Sequence, residues 1–444
     1  MFDTVIVGAG IAGATAARLL HNAGQNVVIL EARDRVGGRI WTDRSAGFSV
    51  DRGASWIHGL EDNPLTEVIS ELGVETVEFT VGSFQAGGRP IADYDEKGIV
   101  LDDEASRRWV ADVDAADDLL MFAGATSGPN QSYSQTSERV LAATGWDEQR
   151  KERVRAFHRH RTEEQCGAQS TEVAARGLVD DTVDGDEVIF PGGYDVVPRS
   201  LADGLDVRTG HAVTSIAWSN SGVRVNTATE SFSARQVVVT VPLGVLKVGA
   251  IQFTPALPPE ITGPIGRLGM GVFNKVFLQF PDRFWEKGIY AIRRHGAAGF
   301  PWHSWYDVSA VSGKPMLLTF AGGAWGREIE SKTDEEIVAS VMLSLREMYG
   351  ESVPAPTAHW ITRWGSDLFA RGSYSYIAVG ASKEDHDAIA TPLAGVLHIA
   401  GEATWSAAPA TVHGALLSGQ RAAERIYGAP IPLASMRLGA AHAS

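Results

Sequence analysis

Gly8, Gly10 and Gly13 stand in a G-x-G-x-x-G spacing behind the apolar, β-branched run 4–7 and ahead of an alanine-rich helical stretch, 14–23, that stops at Gly24. A strand, a glycine loop and a helix in that order hold a pyrophosphate. Gly8 permits the tight turn, Gly10 lets phosphate approach the backbone, and Gly13 lets helix and strand pack closely. The helix N-terminus adds unpaired N–H groups and partial positive charge. A second apolar run, 27–30, ends at Glu31, eighteen residues past Gly13, where a carboxylate accepts hydrogen bonds from an adenosine ribose. The motif alone does not separate one dinucleotide from another. Close behind it come Arg33 and then Gly37, Gly38 and Arg39, a glycine pair open to close approach followed by a guanidinium that pairs phosphate bidentately. The other residue with chemistry is Lys275, in a segment that alternates Asn274, Val276 and Leu278 on one face with Phe273, Lys275 and Phe277 on the other. That pattern predicts a half-buried strand. A lysine inside it either carries a depressed pKa or a bound water, or reaches out to solvent.

These groups need elements to position them. Polar helical stretches fill 60–180, notably 103–122 and 147–162, and the charged block 148–160 reads as a solvated helix face. His158 and His160 belong to that face, and no metal site is expected. Strand texture returns at 207, 213–218, 223–225 and 236–241, and again at 316–320 and 373–379. A last strand, 396–400, leads through a turn at Gly401 and Glu402 to a helix at 412–427, and the end beyond 431 reads as a frayed tail. With no linker or repeat in view, the expected architecture is α/β, a discontinuous Rossmann-like domain interleaved with a substrate domain of mixed, mainly antiparallel sheet plus helices. The expected division is 1–58, 190–250 and 395–430 for the dinucleotide domain, 59–189 and 251–394 for the substrate domain, and 431–444 for the tail.

The 444 residues are 44% hydrophobic and 21% charged, an ordinary globular composition. Lys and Arg total 39 against 54 Asp and Glu, a net charge of −15. Such a surface repels nucleic acid and anionic membranes and attracts small cations. The single cysteine, Cys166, excludes an internal disulfide and a Cys-rich metal site. No basic leader opens the chain and its apolar runs are strand-length, so a cytoplasmic monomer or homodimer is expected.

Taken together, residues 8–13, 31–39, 53–59, 275, 363–376 and 401–419 resemble the flavin-containing amine oxidases, which include monoamine, polyamine and spermine oxidases and the lysine-specific histone demethylases. The likeness runs from about residue 3 to 427 and is weakest over 100–180. Gly53 to Gly59, with His58, is similar to the animal polyamine oxidases; Arg363, Trp364, the run 371–376 and the run 409–419 are similar to the demethylase branch. The resemblance implies FAD held by Gly8, Gly10, Ala12, Gly13, Glu31, Arg33, Gly38 and Arg39. It adds Ala54, Ser55 and Trp56 beside the flavin, Val213 at the adenine, Trp364 at the ring, and Gly401, Glu402, Thr411 and Val412 along the ribityl chain. It makes Lys275 the catalytic residue that holds a water at the flavin, and His58, Tyr374 and Ala408 substrate contacts; Trp305 is added from spacing as an aromatic face for a cation. Monoamine oxidases attach flavin through a cysteine near the C-terminal motif, and Cys166 lies far upstream, so FAD is expected to be non-covalent. Ala408 replaces the tyrosine that walls the amine site in polyamine oxidases and demethylases. The expected activity is oxidation of a polyamine or other bulky secondary amine, with dioxygen reduced to hydrogen peroxide. An aromatic amine or L-amino acid, an acceptor other than oxygen, and a non-catalytic escort protein of the same fold are the alternatives. The targeting domain and helical insertion of nuclear demethylases do not fit in 444 residues, which counts against histone substrates.

Overall fold

The computed structural model describes residues 1–80, 90–178 and 184–438; the expected tail beyond 438 lies outside the described residues. The strand Phe2–Val7 is central because its residues from Thr4 onward are buried on both faces. It runs parallel to Val27–Leu30 on one side and to Ser231–Val239 on the other, with Asp206–Arg208 beyond the first and Leu397–Ile399 parallel to residues 237–239 of the second. Ser231–Val239 also pairs antiparallel with Gly222–Thr227, which pairs with Val213–Ser219; Gln252–Thr254 closes that edge, just past the domain change expected at 250. Stretches distant in sequence thus build one sheet, the α/β arrangement expected.

The helices Ile11–Asn22 and Val412–Tyr427 cross against each other beside this sheet, and glycines set how close they come. A Cβ at Gly13 would stand 2.0 Å from the Gly8 carbonyl oxygen, and one at Gly419 would stand 2.2 Å from the Ala12 oxygen. Neither position accepts a side chain.

The second sheet orders Ala358–Ile361, Phe273–Gln279, Met316–Gly322, Ser304–Asp307, Ala291–Arg294 and Ile91–Tyr94, antiparallel except for the last pair. In its register Lys275 faces Phe320, Tyr306 faces Leu318, and Trp305 faces Thr319. Alternation therefore sends Phe273, Lys275, Phe320 and Tyr306 to one side and Asn274, Thr319 and Trp305 to the other. The strand expected to be half-buried is covered on both sides: Asn274 is 0% exposed and Lys275 6%. On its far side Ile337, Val341 and Leu345 join Trp302 and Trp305 in a second core. Of the strand expected at 373–379, Ser375–Tyr376 forms a strand with Gly269–Met270, and Ala378 makes an isolated antiparallel bridge to Val173.

The helix Glu148–Cys166 corrects another expectation. It is no solvated face, since Val154, Phe157, His158, His160 and Cys166 are all buried. It packs against the helix Tyr133–Ala143 and the second sheet, and its charges are matched by neighbours. Arg161 forks onto Asp117 with both bonds at 2.6 Å, and Arg153 onto Glu96 at 2.6 and 2.8 Å. Such pairing lets a helix of mean polar composition enter a core. No cluster of metal-ligating side chains occurs among the described residues, and no helix there is long and apolar enough to cross a membrane.

Residues 431–438 are not frayed. Ile431, Met436 and Leu438 are buried in the core around the helix Ile11–Asn22, and Asn22 Nδ2 donates to the carbonyls of Ser435 at 3.0 Å and Met436 at 2.7 Å. Three apolar side chains among small residues are enough to seal the base of that helix. Met436→Ala should lower stability by about 2–4 kcal/mol, read as a lower denaturant midpoint at unchanged slope.

Candidate functional site

A cavity of about 760 Å³ is lined from both sheets. At one end stands the glycine loop. Gly10 caps the helix Ile11–Asn22 without any side-chain hydrogen bond, and a Cβ on it would meet no atom within 4 Å, so the helix N-terminus opens on the cavity. Thr240 Oγ1 donates to the carbonyls of Val7 at 2.9 Å and Gly8 at 3.2 Å and pins the loop to the sheet. Glu31 Oε2 accepts the Ala9 N–H at 2.7 Å and Oε1 accepts the Arg33 N–H at 2.8 Å. The expected ribose carboxylate therefore also orients the loop. Arg33 forks onto Asp367 at 2.9 and 2.7 Å. Gly13 does not line the cavity; its part is the close packing described above.

Arg39 Nη1 donates to the Ser373 carbonyl and to Glu402 Oε1, both at 2.8 Å. Glu402 Oε2 accepts from Ser375 Oγ at 2.6 Å and the Ala410 N–H at 3.1 Å. Burial raises the Glu402 carboxyl, but Arg39 and Ser375 outweigh it and hold it below the usual range. Thr411 caps the helix Val412–Tyr427 by accepting the Gly414 N–H at 2.9 Å, and Gly401, Thr411 and Val412 line the same wall. Ala12, Gly38, Ala54 and Val213 line the cavity too.

Lys275 marks the other end. Its Nζ donates to the carbonyls of Asp51 at 3.0 Å and Gly53 at 2.6 Å and to Ser55 Oγ, three oxygens for three ammonium protons. Burial lowers it to about 7, against the pull of Asp51; burial likewise raises Asp51 to about 6, although Thr42 Oγ1 donates to it at 2.5 Å. The Lys275 Nζ also lies 5.3 Å from the Trp56 ring centre. Trp364 is fixed by two bonds, its N–H to Asn274 Oδ1 at 2.8 Å and its Nε1 to the Arg52 carbonyl at 3.3 Å. Phe320 stacks on Phe273 at 4.5 Å and meets Tyr306 edge-on at 5.4 Å, and Tyr374 completes this aromatic wall. His58 lines the cavity with its Nδ1 on the Glu187 carboxylate.

Two expected substrate contacts lie elsewhere. Trp305 is fully buried in the core behind the sheet, and its neighbour Tyr306 takes the cavity face, a one-residue difference that only the pairing register decides. Ala408 is not in the wall: its carbonyl accepts from Thr411 Oγ1 at 2.8 Å, and Pro409 and Ala410 line the cavity in its place. Sequence reasoning missed Asp51, Glu164, Glu187, Phe320 and Tyr306. Phe273 was legible as sharing the Lys275 face.

An elongated cavity with a glycine floor, an uncapped helix N-terminus and a carboxylate at the ribose position suits a dinucleotide. Cys166 is buried and outside the cavity walls. Residues 11–427 match the family model described as flavin containing amine oxidoreductase. The chain is 34% identical over 450 residues to human lysine-specific histone demethylase 2, covering 96% of this chain and 53% of that protein. It is 34% identical over 441 residues to polyamine oxidase 2 of Arabidopsis thaliana, covering 95% and 87%. The chain thus spans about half the length of the histone demethylases it matches. The structure of cyclohexylamine oxidase from Brevibacterium oxydans superposes with a TM-score of 0.78 at 24% identity, covering 96% of this chain and 99% of that one, and shares the fold. Glu31→Ala should weaken FAD binding by about 1.5–3 kcal/mol, measured by flavin fluorescence on titrating the apoprotein. Acid precipitation of the wild type should leave all the flavin in the supernatant.

Proposed function

Since the chain belongs to the flavin containing amine oxidoreductases, we propose that it oxidises a small amine with FAD as cofactor and dioxygen as electron acceptor. The observation that carries this reading is the single cavity that joins the glycine loop to a buried lysine among aromatic rings. FAD, when bound, supplies the acceptor for a hydride from the C–H next to nitrogen and hands the electrons on to oxygen, giving hydrogen peroxide and an imine that water hydrolyses. The rest of the work falls to the chain. Gly8, Gly10 and Gly38 give backbone access to the pyrophosphate, Glu31 takes the ribose, and Val213 faces the adenine. The N-terminus of Val412–Tyr427, capped by Thr411, offers partial positive charge to a reduced ring. Trp364, fixed at both its N–H groups, sets the ring's position.

The acidic surface and the aromatic wall of Phe273, Phe320 and Tyr374 draw in a protonated amine. The neutral amine is the reactive form, so flavin reduction by substrate speeds up with pH until the substrate's own pKa. Lys275 has a different part. Its protons taken by Asp51, Gly53 and Ser55, it keeps a positive charge in the cavity wall, where oxygen takes up electrons. As its pKa is lowered to about 7, that charge is present below pH 7 and lost above it.

The purified protein should be yellow, and an amine that is a substrate should bleach it under anaerobic conditions. One peroxide per amine consumed establishes oxygen as the acceptor; flavin that no amine bleaches sinks the reading. Lys275→Met should slow reoxidation by tenfold or more and abolish its pH dependence near 7, while anaerobic reduction changes less. Stopped-flow measurement of the two half-reactions checks this.

A further inference from the structure

Behind the wall that holds Lys275 lies a second pocket, of about 40 Å³. The sheet register places it. Lys275 faces Phe320 across the strands Phe273–Gln279 and Met316–Gly322, and this pair lines the large cavity. The next pair on the same face, Phe277 and Leu318, lies about 7 Å further along at ~3.4 Å per residue, and it lines the second pocket. Ser55 and Trp56 line both spaces. The Lys275 Nζ is 5.3 Å from the Trp56 ring centre and 5.8 Å from that of Phe277, so one layer of side chains separates the pocket from the ammonium. Val308, Met316 and Leu318 form the buried interior, while Val311 is half-buried beside the exposed Ala310 and leads outward.

This wall offers little to water. Ser55 Oγ accepts from Lys275 and donates to the Asp51 carbonyl at 3.1 Å, and Ser312 Oγ donates to the Lys314 carbonyl at 3.0 Å. The Asp51 carboxylate already accepts from Thr42 Oγ1 at 2.5 Å and from the Tyr194 N–H at 3.1 Å. Trp56 Nε1 has no acceptor among the described residues, and one donor is fewer than the two to four partners that hold a buried water. Apolar space of this kind stays dry and takes up apolar molecules such as xenon. Since about 10–15 Å³ is enough for one water, 40 Å³ admits a diatomic gas and excludes an amine of several carbons.

We infer that this pocket is a binding site for dioxygen, which passes from it by Ser55 and Trp56 to the charge on Lys275. The inference rests on the reading of oxygen as the electron acceptor and adds to it the place that oxygen occupies first. No bond is made or broken there. Dioxygen has no strong hydrogen bonds to give up and gains by leaving water for apolar surroundings. A pocket on this side also lets it arrive while the amine or its product fills the aromatic-walled part of the large cavity.

The test joins xenon-pressurised crystals of the holoenzyme to stopped-flow kinetics of wild type and Val311→Phe. Xenon should appear among Val308, Met316 and Leu318 in the wild type and be lost from the variant. Filling the void leaves close-packed protein in its place, so Val311→Phe should lower the second-order rate constant for reoxidation by oxygen about tenfold. Anaerobic reduction by amine should stay the same, as should reoxidation by ferrocenium, a one-electron oxidant too large for the pocket. Val311→Leu, which adds one carbon, should show a smaller loss in the same direction and serves if the phenylalanine variant does not fold. Unchanged reoxidation by oxygen in the folded variants overturns the inference whether or not xenon binds, and so does a wild-type pocket that takes no xenon. An equal loss with ferrocenium overturns it as well, because the damage is then general. Should wild type itself form no peroxide with a reducing amine, the reading of oxygen as acceptor fails, and that failure is told apart by its appearing without any substitution.

Discussion

Glu402 is a buried carboxylate that survives only because three separate segments bring it donors. Arg39 comes from the glycine–arginine loop, Ser375 from the short strand Ser375–Tyr376, and the Ala410 N–H from the approach to the last helix. An ionised group enclosed in protein is costly unless paired and hydrogen-bonded. Remove any one of these partners and the cost returns, so the three segments are held to a common point. That point is where the walls of the cavity meet. The glycine loop, the aromatic wall and the capped helix can face one ligand because this charge ties them together.

The same economy operates at Lys275. Its ammonium is enclosed by Asp51, Gly53 and Ser55, at and just past the short strand Val50–Asp51, which pairs with Thr42–Asp43. The lysine thus ties the second sheet to the segment 51–55 and presents its charge at the cavity wall. Behind it, Asn274 accepts the Trp364 N–H and donates to Glu330 at 2.9 Å, so the opposite face of the same strand positions the tryptophan. One strand serves as structure on one side and as site on the other, which is why burial on both faces matters.

The helix Glu148–Cys166 shows how strongly charged sequence enters a core. Its arginines leave along the flanks to Asp117, Glu96 and Glu138, and the histidines turn inward, His160 stacking on His303 at 4.3 Å. Burial pushes His303 well below its ordinary range, so the stacked pair does not carry two charges. That arrangement leaves Glu164, one turn on, as the acid that looks into the cavity.

Local pattern determined a good deal of this protein. The glycine spacing, the runs 4–7 and 27–30, the helix 412–427 and the alternation around Lys275 were legible because each depends on neighbours in sequence, through backbone sterics and side-chain period. The family likeness at Glu31, Arg39 and Trp364 was legible for the same reason, since those residues lie in continuous motifs. What only the tertiary structure decided concerns partners far apart in the chain. Whether Tyr306 or Trp305 faces the substrate is set by strand register; the burial of 148–166 is set by acids on other elements; the sealing of 431–438 is set by the first helix. In each case the deciding energy is a contact between separate elements, 57 residues apart for Arg153 and Glu96 and 414 for Asn22 and Met436, or a pairing offset of one, and a linear pattern carries neither.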